Sequence, residues 1–198
     1  ERAKENVQAN PGGASIVDLN PVREGRQSTW SDSLGLAPGV FIQDRFGSEE
    51  ARLSIRGSGL SRTYHSFGIK VMQDGVPINY ADGFFDMQTV DPNASRYVEV
   101  LRGPNATAYG ATTLGGAINF VTRQPSGQFS GQVGIEAGNY GRLVNKVSID
   151  TNKINDVLSL TIAGRKEKQD GWLPNANSTE NWGNRNREAF MASCCRVV

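Results

Sequence analysis

Val98-Glu99-Val100-Leu101-Arg102-Gly103-Pro104-Asn105-Ala106 changes character in its middle. Up to Leu101 the residues alternate and are rich in β-branched side chains, so 97–101 reads as a strand. Gly103-Pro104 then stops the strand and starts a helical turn over 105–109, because proline suits the first helical position. Gly110 closes that helix as its left-handed terminal residue. Gly115-Gly116-Ala117-Ile118-Asn119-Phe120-Val121-Thr122 follows, and 116–122 reads as the next strand. Two short strands joined by a helical turn point to a small α+β domain.

Working outward, the same grammar holds to about residue 124. Ser28-Thr29 offers an N-cap before Trp30, Leu34 and Leu36, and Pro38-Gly39 stops that helix. Strands are expected over 40–43, 53–56 and 69–72. Asp74-Gly75 between Met72 and Val76 reads as a hairpin turn. Asp91-Pro92 caps a single helical turn.

From about Gly127 the period becomes two. Phe129, Gly131, Val133, Ile135 and Ala137 alternate with Ser130, Gln132, Gly134, Glu136 and Gly138. After a turn at Asn139-Tyr140-Gly141, Leu143, Val147 and Ile149 oppose Arg142, Lys146 and Asp150. A second turn spans 151–156. Leu158, Leu160 and Ile162 then oppose Ser159, Thr161 and Arg165, and a fourth strand is expected over 185–192. Alternation alone has two readings. A soluble antiparallel sheet with one face on a core is the commoner cause, and a run of about ten residues also suits a tilted membrane-spanning strand.

Composition removes several classes. The chain of 198 residues carries 21 Lys+Arg against 20 Asp+Glu, so it lacks the basic excess that neutralises nucleic-acid phosphates. Cys194 and Cys195 are adjacent and cannot staple distant segments. With His65 as the lone histidine they do not make a zinc set. No apolar run is long enough for a transmembrane helix. The first residues, Glu1-Arg2-Ala3-Lys4, contain no signal-peptide core, so the chain is either not exported or has lost its signal. Gly57-Ser58-Gly59-Leu60-Ser61-Arg62 lacks the third glycine of a dinucleotide fingerprint. No G-x-S-x-G elbow is present. An enzyme is not expected, and neither a catalytic residue nor a resident cofactor or metal is assigned.

Leu53-Ser54-Ile55-Arg56-Gly57, Asp74-Gly75-Val76-Pro77, the block around Arg102-Gly103-Pro104 with Tyr109-Gly110, and Gly115 to Thr122 occur in one order and spacing. Together they resemble the plug domain of TonB-dependent outer-membrane receptors, and the stretches 54–62 and 91–102 are most similar to ferric-citrate-type receptors. The resemblance implies an α+β plug domain over 10–125, after an N-terminal extension at 1–9. Antiparallel transmembrane β-barrel strands would begin at 126, forming an incomplete barrel, since such barrels need hundreds of residues. Residues 191–198 break the alternation, so a truncated or frameshifted end is the expectation there.

It further implies a monomeric receptor of the bacterial outer membrane, in contact with its lipid, that imports a ferric chelate such as ferric citrate or a siderophore. TonB would supply the energy. Its recognition segment is not identifiable in residues 1–10, and lies upstream or is absent. Arg56 and Arg102 match plug arginines that meet barrel-wall glutamates, which would lie beyond Val198. Loops at 43–48, 59–65 and 79–84 match the apices that face ligand, with Arg45, Arg62, Tyr64, His65 and Tyr80 as candidate contacts. Guanidinium forks suit an anionic, oxygen-rich chelate. The competing readings are a soluble or surface ligand-binding module with a plug-like fold, and a non-functional truncated product.

Overall fold

The computed structural model describes residues 13–21, 25, 29–45, 50–58, 67–110, 113–125, 127–154 and 157–196. They divide into two compact units, which part between Thr122 and Arg123.

The first unit is built on a five-stranded sheet of β1 (Ala14–Asp18), β4 (Ile69–Gln73), β5 (Val76–Pro77), β6 (Ser95–Arg102) and β7 (Gly116–Thr122). Their order is β1-β6-β7-β4-β5. Only the β4–β7 pairing is parallel; the others are antiparallel. The β4–β5 turn is the Asp74-Gly75 hairpin that the sequence signals. Both residues have positive φ, 52° and 80°, the geometry that matches strand twist in a two-residue hairpin. Asp74 also accepts from the Thr122 amide at 2.7 Å, which ties the turn to the end of β7.

A separate hairpin pairs β2 (Val40–Arg45) with β3 (Glu50–Ile55). Before it lies a short helix, Trp30–Leu34, started by Thr29. Thr29 and Asp32 exchange side-chain and backbone hydrogen bonds in a capping box, which satisfies two otherwise orphaned amides. The helix delivers Trp30 to the core. Its ring meets Phe120 edge-on at 4.9 Å and lies near Phe85 at 6.2 Å, while its Nε1 donates to the Met87 carbonyl at 3.1 Å. Leu34, Leu53, Ile55, Ile69, Val71, Val98, Val100 and Ile118 complete this core.

The segment Gly103–Tyr109 is a 3-10 helix rather than an α-helix, and Gly110 leaves it with φ 85° and ψ −154°. That is not the left-handed helical cap the sequence suggested. The last turn closes three residues back, the Gly110 amide donating to the Thr107 carbonyl at 3.0 Å, and the chain departs in an extended direction.

The second unit is an antiparallel meander of β8 (Ser130–Gly138), β9 (Arg142–Asp150), β10 (Leu158–Gln169) and β11 (Arg185–Arg196), in the order β11-β10-β9-β8. The fourth strand therefore runs past residue 192. Ser193, Cys194 and Cys195 pair with Thr161, Leu160 and Ser159, so cross-strand hydrogen bonding carries the strand through residues of modest β-propensity. No helix among the described residues is long and apolar enough to cross a membrane, which says nothing of crossing with strands.

Candidate functional site

Two constellations carry charge in unusual settings, one in each unit. In the first, Arg56 and Arg102, both singled out from sequence, come together. Arg56 follows β3 in a tight turn at φ 53° and is succeeded by Gly57 at φ 81°. The Ser58 amide closes this turn on the Ile55 carbonyl at 3.0 Å. A non-glycine residue in the left-handed region costs of order 1–2 kcal/mol, so the turn holds Arg56 in a conformation it would not choose alone.

Arg102 ends β6. Its Nη1 donates to the Pro38 carbonyl at 2.7 Å and its Nη2 to Ser15 Oγ at 2.6 Å. The two guanidinium groups share glycine walls. A Cβ at Gly13 would lie 3.3 Å from Arg102 Nε and 3.5 Å from Arg56 Nη2. One at Gly103, which has φ 60°, would collide with Arg56 Nη1. Burial, and next the neighbouring Arg56 charge, hold the Arg102 pKa below its ordinary value. Guanidinium forks of this kind bind carboxylates and other planar anions bidentately.

Replacing Arg102 by Ala is expected to loosen β1 first, since Ser15, which accepts from its guanidinium, lies on that strand. Hydrogen exchange of residues 14–18 should accelerate by the equivalent of about 1–3 kcal/mol. Unaltered exchange in β1 would contradict this anchoring.

The other predicted contacts are less convergent. Arg45 closes β2, in register with Glu50. Tyr80 lies exposed in a turn closed by hydrogen bonds to Phe84 and Gly83, its ring stacked on Phe84 at 5.7 Å. Phe84 stacks in turn on Phe85 at 6.4 Å. Aromatic contacts thus run from exposed Tyr80 to core Trp30. Arg62, Tyr64 and His65 lie outside the described residues.

In the second constellation the exposed apolar band of Phe129, Val133 and Ile135 was expected from the resemblance, whereas the charged cluster behind it was not recognised from sequence. One face of the β8–β11 meander is exposed and mostly apolar: Val133 is 80 % exposed, Ile135 71 % and Phe190 75 %, with Phe129, Leu143, Val147, Ile149, Leu158 and Ile162 also open, beside an exposed Lys166–Glu188 ion pair. The opposite face is charged and covered. Glu167, 1 % exposed, accepts from Arg142 Nε at 3.1 Å, Arg185 Nη1 at 3.2 Å and Arg165 Nη2 at 2.7 Å. Glu136 bridges Arg142 at 3.2 Å and also pairs with Lys146. At the other end Asp150 accepts from Arg123 and Ser130, each at 2.9 Å, and from Thr161 at 2.6 Å. A water-soluble sheet does the reverse, with its apolar face covered. The alternation that reveals the strands was legible; the carboxylate at its centre was not.

A globular unit on a mixed five-stranded sheet, with two arginines brought together at one end, precedes in the chain a four-stranded meander with an exposed, mostly apolar face. A family profile described as the TonB-dependent Receptor Plug Domain matches residues 6–117. The chain belongs to this family.

Among its relatives, the iron-regulated outer membrane virulence protein of Vibrio cholerae is 28% identical over 174 residues, covering 83% of this chain and 26% of that protein. The pesticin receptor of Yersinia pestis is 30% identical over 129 residues, covering 63% of this chain and 18% of that protein. The chain thus spans about a quarter or less of the length of these relatives. Two solved structures share the fold. The ferric yersiniabactin uptake receptor FyuA of Yersinia pestis aligns with a TM-score of 0.73 at 20% identity, over 95% of this chain and 29% of that one. The siderophore receptor PirA of Acinetobacter baumannii aligns with a TM-score of 0.62 at 23% identity, over 89% and 27%.

Proposed function

We propose that the chain is the plug and first barrel strands of a monomeric receptor that imports a ferric chelate, a siderophore or ferric citrate, across the bacterial outer membrane in a TonB-dependent manner. The observation that carries this reading is the inverted second sheet. Its strands have 9 to 12 residues, close to the ~9–11 that cross a bilayer at a tilt. Most of one face is apolar and exposed while the covered ion pairs lie on the other, the arrangement of a barrel whose lumen is polar and whose wall meets lipid. A soluble module would leave that apolar face in water, an aggregation hazard.

In such a receptor the plug would sit within the barrel, and transport would follow from that arrangement. The chelate would bind at apices carrying Arg45, Arg62, Tyr64, His65 and Tyr80, whose donors suit an anionic, oxygen-rich cargo. TonB would then act on the plug, with Arg56 and Arg102 holding it through carboxylates of the barrel wall. The metal is cargo, already chelated, so the protein needs no iron ligands of its own.

The test is uptake of radiolabelled ferric citrate and ferric siderophores by cells carrying the full-length protein, with and without TonB. TonB-dependent accumulation of one of these chelates is expected. Combined Arg45→Ala and Arg62→Ala should weaken chelate binding by about 3–6 kcal/mol, the loss of one charge-assisted hydrogen bond of ~1.5–3 kcal/mol at each arginine. Uptake indifferent to TonB, or a full-length protein that fractionates as soluble, would overturn the assignment. Equal chelate affinity in the double variant would remove these arginines from the site.

A further inference from the structure

The β2–β3 hairpin has two faces of different character. Register pairs Val40 with Ile55, Ile42 with Leu53 and Asp44 with Ala51. In the alternate rows it pairs Phe41 with Ser54, Gln43 with Arg52 and Arg45 with Glu50. Directly opposed residues share a face, and successive rows alternate between faces. The first set carries Leu53 and Ile55, fully buried in the core of the first unit, with Val40, Ile42 and Ala51 packed against that core. The second set is therefore turned away from it. There Phe41, Gln43 and Glu50 are exposed, while Arg45 and Arg52 are half-buried.

The two arginines are diagonal neighbours across the ladder, a spacing of about 7–8 Å, yet their surroundings differ. Arg45 stands opposite Glu50, so an acid already faces its charge. Arg52 stands opposite the neutral Gln43. Among the described residues Arg52 has no hydrogen-bond or ion-pair partner, and its Nε is covered without an acceptor. Packing holds the side chain, and the donors of its guanidinium fork are unspent. By contrast, Arg102 gives its donors to Pro38 and Ser15. A covered N–H without a partner is unfavourable, and a bound anion would relieve it. The strand beneath is firmly placed: the Ala51 amide donates to Met87 Sδ at 3.2 Å, and the Met87 carbonyl accepts from Trp30 Nε1. Such a base lowers the ordering cost of binding.

We propose that Arg52 is the cation of this apex that meets a free carboxylate of the cargo, with Arg45 beside it, and that the cargo is a carboxylate-bearing ferric chelate rather than a neutral one. This names the cargo class within the transport reading above and rests on it. One guanidinium donates two parallel N–H bonds to a carboxylate. Two forks at this diagonal spacing suit separate carboxylates of one chelate.

The experiment uses the purified full-length protein and three probes: ferric citrate, the ferric complex of a citrate-based hydroxamate siderophore, and a neutral ferric trihydroxamate. Titration calorimetry compares the parent with Arg52→Gln and Arg52→Lys. The expected result is that a carboxylate-bearing probe binds the parent and that Arg52→Gln weakens it about 10- to 150-fold, the loss of one charge-assisted hydrogen bond. Arg52→Lys should fall between, because it keeps the charge without the fork. The unfolding midpoint of Arg52→Gln should match the parent, since no protein partner is lost. Unchanged affinity in Arg52→Gln would overturn the assignment, and a lowered midpoint beside it would make Arg52 an anchor of the plug instead. Binding of the neutral probe alone would overturn the carboxylate class and leave the receptor reading intact. A parent that binds none of the three would overturn this proposal, while TonB-dependent uptake decides the receptor reading separately.

Discussion

Glu167→Gln is expected to be the most destabilising single-atom-scale change in the second unit, costing about 3–5 kcal/mol. The carboxylate is almost wholly covered and joins arginines from three strands, Arg142 on β9, Arg165 on β10 and Arg185 on β11. The amide keeps the volume but removes the charge, so guanidinium groups with side chains only 6% to 15% exposed lose the carboxylate they share. Arg142 keeps Glu136, but the covered cluster loses the carboxylate common to all three arginines, and breaking a buried pair costs more than the pair itself contributes. The measurement is unfolding of the full-length protein by urea in lipid, beside Glu188→Gln as the comparison. Glu188 makes one exposed ion pair with Lys166, and pairs of that kind contribute little, so that variant should match the parent. Equal behaviour of the two variants would show that the covered cluster does not hold the strands together.

Val147→Arg should be comparably damaging for an opposite reason. Val147 is half exposed, and in a water-soluble sheet a surface substitution of this kind shifts stability by roughly 0.5 kcal/mol or less. On a lipid-facing strand near mid-membrane an arginine costs about 2–4 kcal/mol. Val147 stands in a row with Val133, Gly164 and Phe190, with apolar rows beyond it. Asn186→Arg, beside the exposed Lys166–Glu188 pair on the same face, should be nearly neutral. A folding titration into vesicles measures both. If Val147→Arg and Asn186→Arg behave alike, this face does not meet hydrocarbon.

The arginine pair shows where reading along the chain stops. Arg56 and Arg102 each look like a charge at a strand end, and only resemblance to a family joined them. In the structure the β3 turn and the end of β6 bring both against Gly13, in a segment the sequence did not mark as a strand. β1 is short, and its Ile16 and Val17 stand among Ser15 and Asp18, too brief a pattern to announce itself. It exists because β6 supplies its hydrogen bonds. The end of β11 follows the same rule, since pairing with β10 outweighs the weak preference of Ser193 and the two cysteines for strands.

The sequence by itself determined the elements whose signals are local: the capped helix before the β2–β3 hairpin, the Asp74-Gly75 turn, the strand–turn–strand around Gly103-Pro104, and the two-residue period of β8, β9 and β10. Each depends on backbone conformation or on residues within a few positions of one another. It could not say which face of the alternating strands is covered, because a period of two is unchanged when inside and outside are exchanged. Only the tertiary structure decided that. Register across β8, β9, β10 and β11 gathers Arg142, Arg165, Arg185 and Glu167 on one side and leaves Val133, Val147 and Phe190 open on the other. Burial is a property of neighbours brought together by strand pairing, and residues distant along the chain carry no local mark of the partners they will meet.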